Sequence, residues 1–162
     1  MGIVSNPHAG SPRGAAASAA KIALFVLDYA CSWVCVIGPL RVRSTLVIFD
    51  RYFHDLLVDG TRYRLPQAFA PARCSAALIP QPDMWLILTA KPETLVARKG
   101  EITPTTAAEL TAGYQALADR LGQVPVISTE LPLNAVLTEA VASLEGTLAR
   151  RARRHSDSVG RL

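Results

Sequence analysis

The triplet Gly-Lys-Ser or Gly-Lys-Thr occurs nowhere in these 162 residues. Its absence excludes a phosphate-cradling loop, which needs clustered backbone amides followed by an ammonium and a hydroxyl. The glycines of Asn6-Pro7-His8-Ala9-Gly10-Ser11-Pro12-Arg13-Gly14 therefore read as a loop or loose arm over 1–14. Histidine is scarce, and His8, His54 and His155 are scattered. Only three cysteines are present, Cys31, Cys35 and Cys74. No histidine cluster accompanies the first two, so a zinc site is not expected. An odd cysteine count with no cleavable signal in view points to a reduced, cytoplasmic setting.

Charge is sparse too. Charged residues make up 19% of the chain and hydrophobic residues 50%, which excludes a disordered body. The length suits one domain with a sizeable core. The net charge of +4 does not mark a nucleic-acid face, because it is confined to one end. From Arg150 onward there are five arginines and one aspartate, whereas twelve basic and twelve acidic residues precede them. Residues 150–162 thus read as a flexible, solvated basic tail.

What is present is a sequence of alternating helical and strand-like stretches. A helix is expected from about Ala15, running into an apolar stretch from Ile22 to Leu40 that only Asp28 interrupts. Nineteen residues reach the lower range of a membrane span. Asp28 inside the stretch and Gly38-Pro39 at its end favour a buried core helix that stops there. Leu46 to Phe49 is a short apolar run of the kind found in a strand buried on both faces. Residues 67–79 look helical with a kink or break at Pro71. Met84 to Leu88 reads as a second strand, and Pro92 opens a helix to about Lys99. Thr103-Pro104 opens another, with Thr106 and Glu109 at capping-box spacing. Val124 to Ile127 reads as a third strand. Leu133, Val136, Leu137, Ala140, Val141, Leu144 and Leu148 then form an amphipathic stripe. The order implies parallel strands joined by crossover helices, an α/β domain.

The chemistry concentrates where the first strand ends. In open α/β sheets the ligand crevice lies beyond the carboxyl ends of the strands. Asp50 and Arg51 sit side by side at such an end. The carboxylate of Asp50 can hold a hydrated Mg²⁺ or take a proton. The guanidinium of Arg51 can fork onto a phosphate. Arg62, Tyr63 and Arg64 place two cations around an aromatic ring shortly after Gly60, itself a turn or helix-end signal.

These stretches together resemble the bacterial thymidylate kinase-like branch of the P-loop nucleoside and nucleotide kinases. The resemblance rests on Asp50-Arg51-Tyr52, on Asp55-Leu56-Leu57-Val58-Asp59 with Arg62-Tyr63-Arg64, and on Pro82-Asp83-Met84-Trp85-Leu86-Ile87-Leu88. Arg98-Lys99-Gly100-Glu101 looks like that family's lid, and the match runs over most of residues 6–148. It implies transfer of the γ-phosphoryl group of ATP, with Mg²⁺, to a nucleoside monophosphate such as dTMP. Asp50 would steer Mg²⁺ through water or organise the acceptor phosphate. Arg51 would bind that phosphate, with Tyr52, Arg62, Tyr63 and Arg64 on the substrate side. Arg98, with Lys99 and Glu101 in the lid, would close over the transferring group. Asp28, Asp55 and Asp83 would be structural.

The family's first strand and phosphate loop have no counterpart here, and Gly60 stands where the family usually has proline. The resemblance thus implies an incomplete P-loop NTPase-like parallel sheet of about three strands. Residues 15–149 would be the C-terminal part of such a kinase, truncated and inactive alone. The alternative is a non-catalytic remnant or interaction module completed by another chain, or paired with itself as a homodimer. A membrane association through Ile22 to Leu40 is the third possibility. No nucleic-acid partner is expected.

Overall fold

The computed structural model describes residue 11 and residues 13–66, 69–100, 102–122 and 124–159. The chain divides into two compact units, Met1–Gln81 and Pro82–Leu162. Each unit contains buried apolar side chains.

The first unit is built around α1 (Ala15–Ser32). A π-helical turn over Trp33–Ile37 follows, and α2 (Gly38–Val42) carries the helix on. Gly38-Pro39 does not stop the helix as expected. Proline has no N–H to offer the carbonyl four residues back, and its ring would press on that carbonyl. The wider turn sidesteps the conflict: the Gly38 N–H bonds to the Trp33 carbonyl, five residues back.

Only Ser18 and Ile22 of α1 and Ile37 of the π turn are buried. The expected buried core helix is thus covered along one side alone. Among the described residues, Ala15–Val42 is one helix of 28 residues long and apolar enough to cross a membrane.

Two short helices complete this unit, α3 (Asp55–Val58) and α4 (Ala70–Ala76). Pro71 sits in the first turn of α4, where the missing N–H costs nothing, so it opens that helix rather than breaking a longer one. The core gathers Ile22, Phe53, Leu56, Leu65, Ala72, Ala76 and Ile79, with Phe25, Val26 and Tyr29 packed against it. Leu46 to Phe49, expected as a buried strand, has no ladder partner and lies in the open. Ile48 is 81% exposed and Leu46 59%. A strand is defined by its neighbours, and no strand is described elsewhere in this unit to supply one.

The second unit carries the sheet. Strands β1 (Ile87–Thr89) and β2 (Val126–Ser128) pair in parallel, Ile87 opposite Val126 and Thr89 opposite Ser128. Two strands are described, not about three, and a P-loop NTPase-like sheet is not seen. The parallel pairing and its helical connection do follow the expected pattern. That connection comprises α5 (Pro92–Lys99) and α6 (Pro104–Leu121). Gly100 closes α5 at φ 57° and Gly122 ends α6 at φ 86°, left-handed conformations that suit glycine. Thr103, rather than Thr106, caps α6, its hydroxyl accepting the Thr106 N–H at 3.2 Å.

The last helix, α7 (Leu133–Val159), spans 27 residues. It runs through most of the stretch expected to be a flexible basic tail. Arg151 pairs with Asp83 at 2.8 Å and Arg150 donates to the Thr147 hydroxyl at 2.9 Å, so part of that positive charge is engaged. Of the amphipathic stripe, Val136 is buried and Leu133, Leu137, Val141 and Leu148 are exposed.

Candidate functional site around Arg51 and Asp55

The chain passes from the exposed segment over 46–49 into a tight corner at Asp50 and Arg51. Arg51 adopts φ 71°, a left-handed conformation that a side chain with a Cβ rarely takes. The corner leads straight into α3, whose first residue is Asp55. This carboxylate is buried at 5% exposure. Arg51 Nη1 donates to both of its oxygens, at 3.0 and 2.9 Å. The Tyr63 hydroxyl donates to Asp55 Oδ2 at 3.0 Å. A buried acid is thus paired with a guanidinium and hydrogen-bonded by a phenol, as a buried charge must be.

Tyr63 is held from its other end. Its backbone carbonyl accepts from Lys21 Nζ of α1 at 2.8 Å. The same ammonium lies 5.5 Å from the Phe25 ring centre and 5.7 Å from that of Tyr63, and the two rings meet edge to face. The turn that presents Tyr63 is tied by the buried Asp59, which accepts the Arg62 N–H at 3.2 Å. Gly60 is in that turn, as expected, its carbonyl accepting from both Tyr63 and Leu65. Arg64 also lies at positive φ, 57°, and its Nε donates to the Ser11 carbonyl at 3.0 Å.

The structure therefore brings Arg51 and Tyr63 together through Asp55. It does not gather the rest of the expected set. Asp50 is exposed at the corner. The Tyr52 hydroxyl reaches the Pro80 carbonyl, and its ring packs on Tyr29 and Phe49. Arg98 belongs to the second unit, where it donates to the Thr129 carbonyl at 2.8 Å and to the Thr129 hydroxyl at 3.1 Å. Gly100 beside it is a helix terminus. The Lys99 side chain and Glu101 lie outside the described residues. Among the described residues no three His, Cys, Asp or Glu side chains gather as a metal site. Asp50 would fit Mg²⁺ only as a single carboxylate acting beside waters and substrate phosphates.

Sequence reasoning treated Asp55 as structural and overlooked that it sets the pose of Arg51. The signal was its place four residues after Arg51 and eight before Tyr63. Lys21 was also missed, since a lone lysine in an apolar helix carries no motif. So was Glu130, which accepts from the Lys91 N–H and the Thr94 hydroxyl, both at 3.0 Å. Those bonds hold its carboxyl below the usual carboxylate range.

A cavity of about 180 Å³ adjoins the corner, lined by Asp28, Tyr29, Ser32, Trp33, Ile37, Phe49 and Tyr52. That is below the roughly 300–1,000 Å³ of small-molecule sites. A larger groove of about 430 Å³ lies in the second unit, among Asp83, Trp85, Thr147, Arg150 and Arg151. None of the expected site residues lines it.

Burial pushes the Tyr63 hydroxyl up to about 12, the Asp55 charge and hydrogen bond adding to it and Arg51 and Arg62 opposing. Burial, then Tyr29, pushes Tyr52 up to about 12 as well. Unfolded tyrosine titrates near 10. Between the two values the folded chain keeps protons that the unfolded chain has released, so its stability falls as pH rises through that window. Ultraviolet titration of the phenols should show late components from Tyr52 and Tyr63, with Tyr29 also raised by burial and by the Asp28 and Asp55 charges, and Tyr63→Phe should remove one late component. Four tyrosines titrating together near 10 in the folded protein would refute the arrangement.

No family model, curated protein or solved structure matches this chain.

Proposed function

We propose that the chain is the acceptor side of a thymidylate kinase-like phosphotransferase, the part that binds the nucleoside monophosphate receiving the γ-phosphoryl group of ATP. The observation that carries the reading is Arg51. It follows Asp50 directly, it sits in a left-handed backbone conformation, and a buried carboxylate holds its guanidinium in one pose. Backbone strain of this kind concentrates where a side chain must be aimed. A guanidinium so placed suits a phosphate, because phosphoryl transfer is catalysed mainly by positioning and by stabilising charge. Tyr63, Arg62 and Arg64 supply aromatic and cationic character nearby. ATP and Mg²⁺ would meet this site only with a phosphate loop, which these residues do not contain. The setting is cytoplasmic. Arg98 enters the reading only if it exchanges Thr129 for a phosphate.

The test is nuclear magnetic resonance titration of the chain with dTMP, other nucleoside monophosphates and inorganic phosphate. The expected result is a shift of the Arg51 and Tyr63 signals that Arg51→Ala abolishes. An extended chain carrying a Gly-Lys-Thr loop should then phosphorylate dTMP from ATP. If no phosphate compound perturbs Arg51 and the extended chain binds neither ATP nor a monophosphate, the reading is wrong.

A second reading is favoured by the segment over 46–49, which is apolar, largely exposed and without a strand partner. In it the chain is a non-catalytic module that receives a strand from another polypeptide. A strictly monomeric, stable chain in analytical ultracentrifugation, indifferent to added apolar strand peptides, would exclude it.

A further inference from the structure

The helix that begins the first unit has two apolar sides and uses only one. At 100° per residue, Ile22, Phe25, Val26 and Tyr29 share the side that packs on the core. The opposite side carries Ala20, Leu24, Leu27, Cys31 and Val34. Leu24 is 66% exposed, Leu27 60% and Val34 71%. Lys21, Asp28 and Ser32 mark one edge between the two sides. A helix apolar on both sides belongs against something, and among the described residues of the first unit nothing covers the outer side.

The charges around that side indicate the cover. Arg13 precedes α1, and Arg41 and Arg43 flank Val42, which is 87% exposed. The Arg41 guanidinium lies 5.1 Å from the centre of the Trp33 ring, at the C-terminal end of the helix. With Lys21, the helix and its borders hold four cations against Asp28 alone. A second copy laid on this face, parallel or antiparallel, would bring cation against cation. An anionic bilayer surface would meet the apolar strip with acyl chains and the arginines with phosphates.

We propose that the outer face of Ala15–Val42 seats the chain on an anionic lipid surface, with the helix lying in the interface. It does not span, because Ile22, Phe25 and Tyr29 would have to leave the core of their own unit. The inference is independent of the proposed phosphotransferase, and its test needs no nucleotide.

The whole chain should co-sediment with vesicles of phosphatidylglycerol and phosphatidylcholine, and far less with phosphatidylcholine alone. Leu27→Glu with Val34→Glu should return it to the supernatant. Arg41→Gln with Arg43→Gln, both exposed positions and with the fold checked by circular dichroism, should lower partitioning roughly fivefold for each arginine, about 25-fold together. Alkaline carbonate should release the bound wild-type chain. Recovery in the supernatant at every lipid concentration overturns the proposal. So does a dimer in lipid-free solution that Leu27→Glu dissociates while vesicles bind nothing. Resistance to carbonate extraction overturns the lying geometry in favour of a span.

Discussion

Replacing Asp55 with alanine is expected to destabilise the first unit by about 3 kcal/mol. The carboxylate is buried and accepts three hydrogen bonds, two from Arg51 and one from Tyr63. Its removal strands a guanidinium and a phenol together. The Arg51 side chain is 34% exposed, so water recovers part of the loss and the cost stays at the low end for a buried pair. Asp55→Asn keeps an acceptor for Tyr63 and loses the ion pair, so it should cost about half as much. Each unit holds one of the two tryptophans, Trp33 in the first and Trp85 in the second. In a Trp85→Phe background, denaturant unfolding followed by Trp33 fluorescence reads the first unit directly. A loss below about 1 kcal/mol, the scale of a single ordinary hydrogen bond, would mean that Asp55 does not organise the corner. The same variant should weaken any phosphate contact made through Arg51, since the carboxylate that accepts from its guanidinium at 2.9 and 3.0 Å is gone.

Phe53→Ala should be costlier, at about 4 kcal/mol. Phe53 is 1% exposed, lies in the middle of the first core and meets Tyr29 edge to face with centres 5.7 Å apart. Its removal leaves a cavity that helices α1 and α3 cannot close without shifting Asp55. The effect should therefore appear in the Trp33 transition midpoint and in a return of Tyr63 toward ordinary tyrosine titration. Phe53→Leu, which keeps most of the volume, should recover more than half of the loss. Equal damage from both substitutions would argue for a role other than packing.

How much of this was legible in advance depended on how local each feature is. Helices α5 and α6 announced themselves through Pro92, Gly100, Thr103 and Gly122, because caps and stops act within one turn. The parallel pairing of β1 with β2 was readable from apolar runs separated by helices. The segment over 46–49 has the same composition and was misread for a physical reason. An apolar run becomes a strand only if a ladder partner exists, and composition does not record the partner. The buried core helix failed in the same way: the apolar length of Ile22 to Leu40 was visible, but not how little of it the first unit can cover. Charge counting placed the positive charge correctly at the end and mistook it for a loose tail. Nothing in the arginines themselves says that Arg151 will find Asp83. In the site, the Arg51–Asp55 pair follows from a four-residue spacing, whereas Lys21 reaches Tyr63 across 42 residues.

The π turn at Trp33–Ile37 has a consequence for how this helix tolerates length change. A π turn holds one residue more than the α turn it replaces, so it behaves as an insertion absorbed without leaving the helix. Removing one residue between Trp33 and Ile37 would restore regular winding and leave α2 facing much as it does now. Pro39 would then meet a carbonyl it now avoids. Single-residue deletions here should thus be tolerated only alongside Pro39→Ala, a pairing that deep mutational scanning would reveal as strong epistasis.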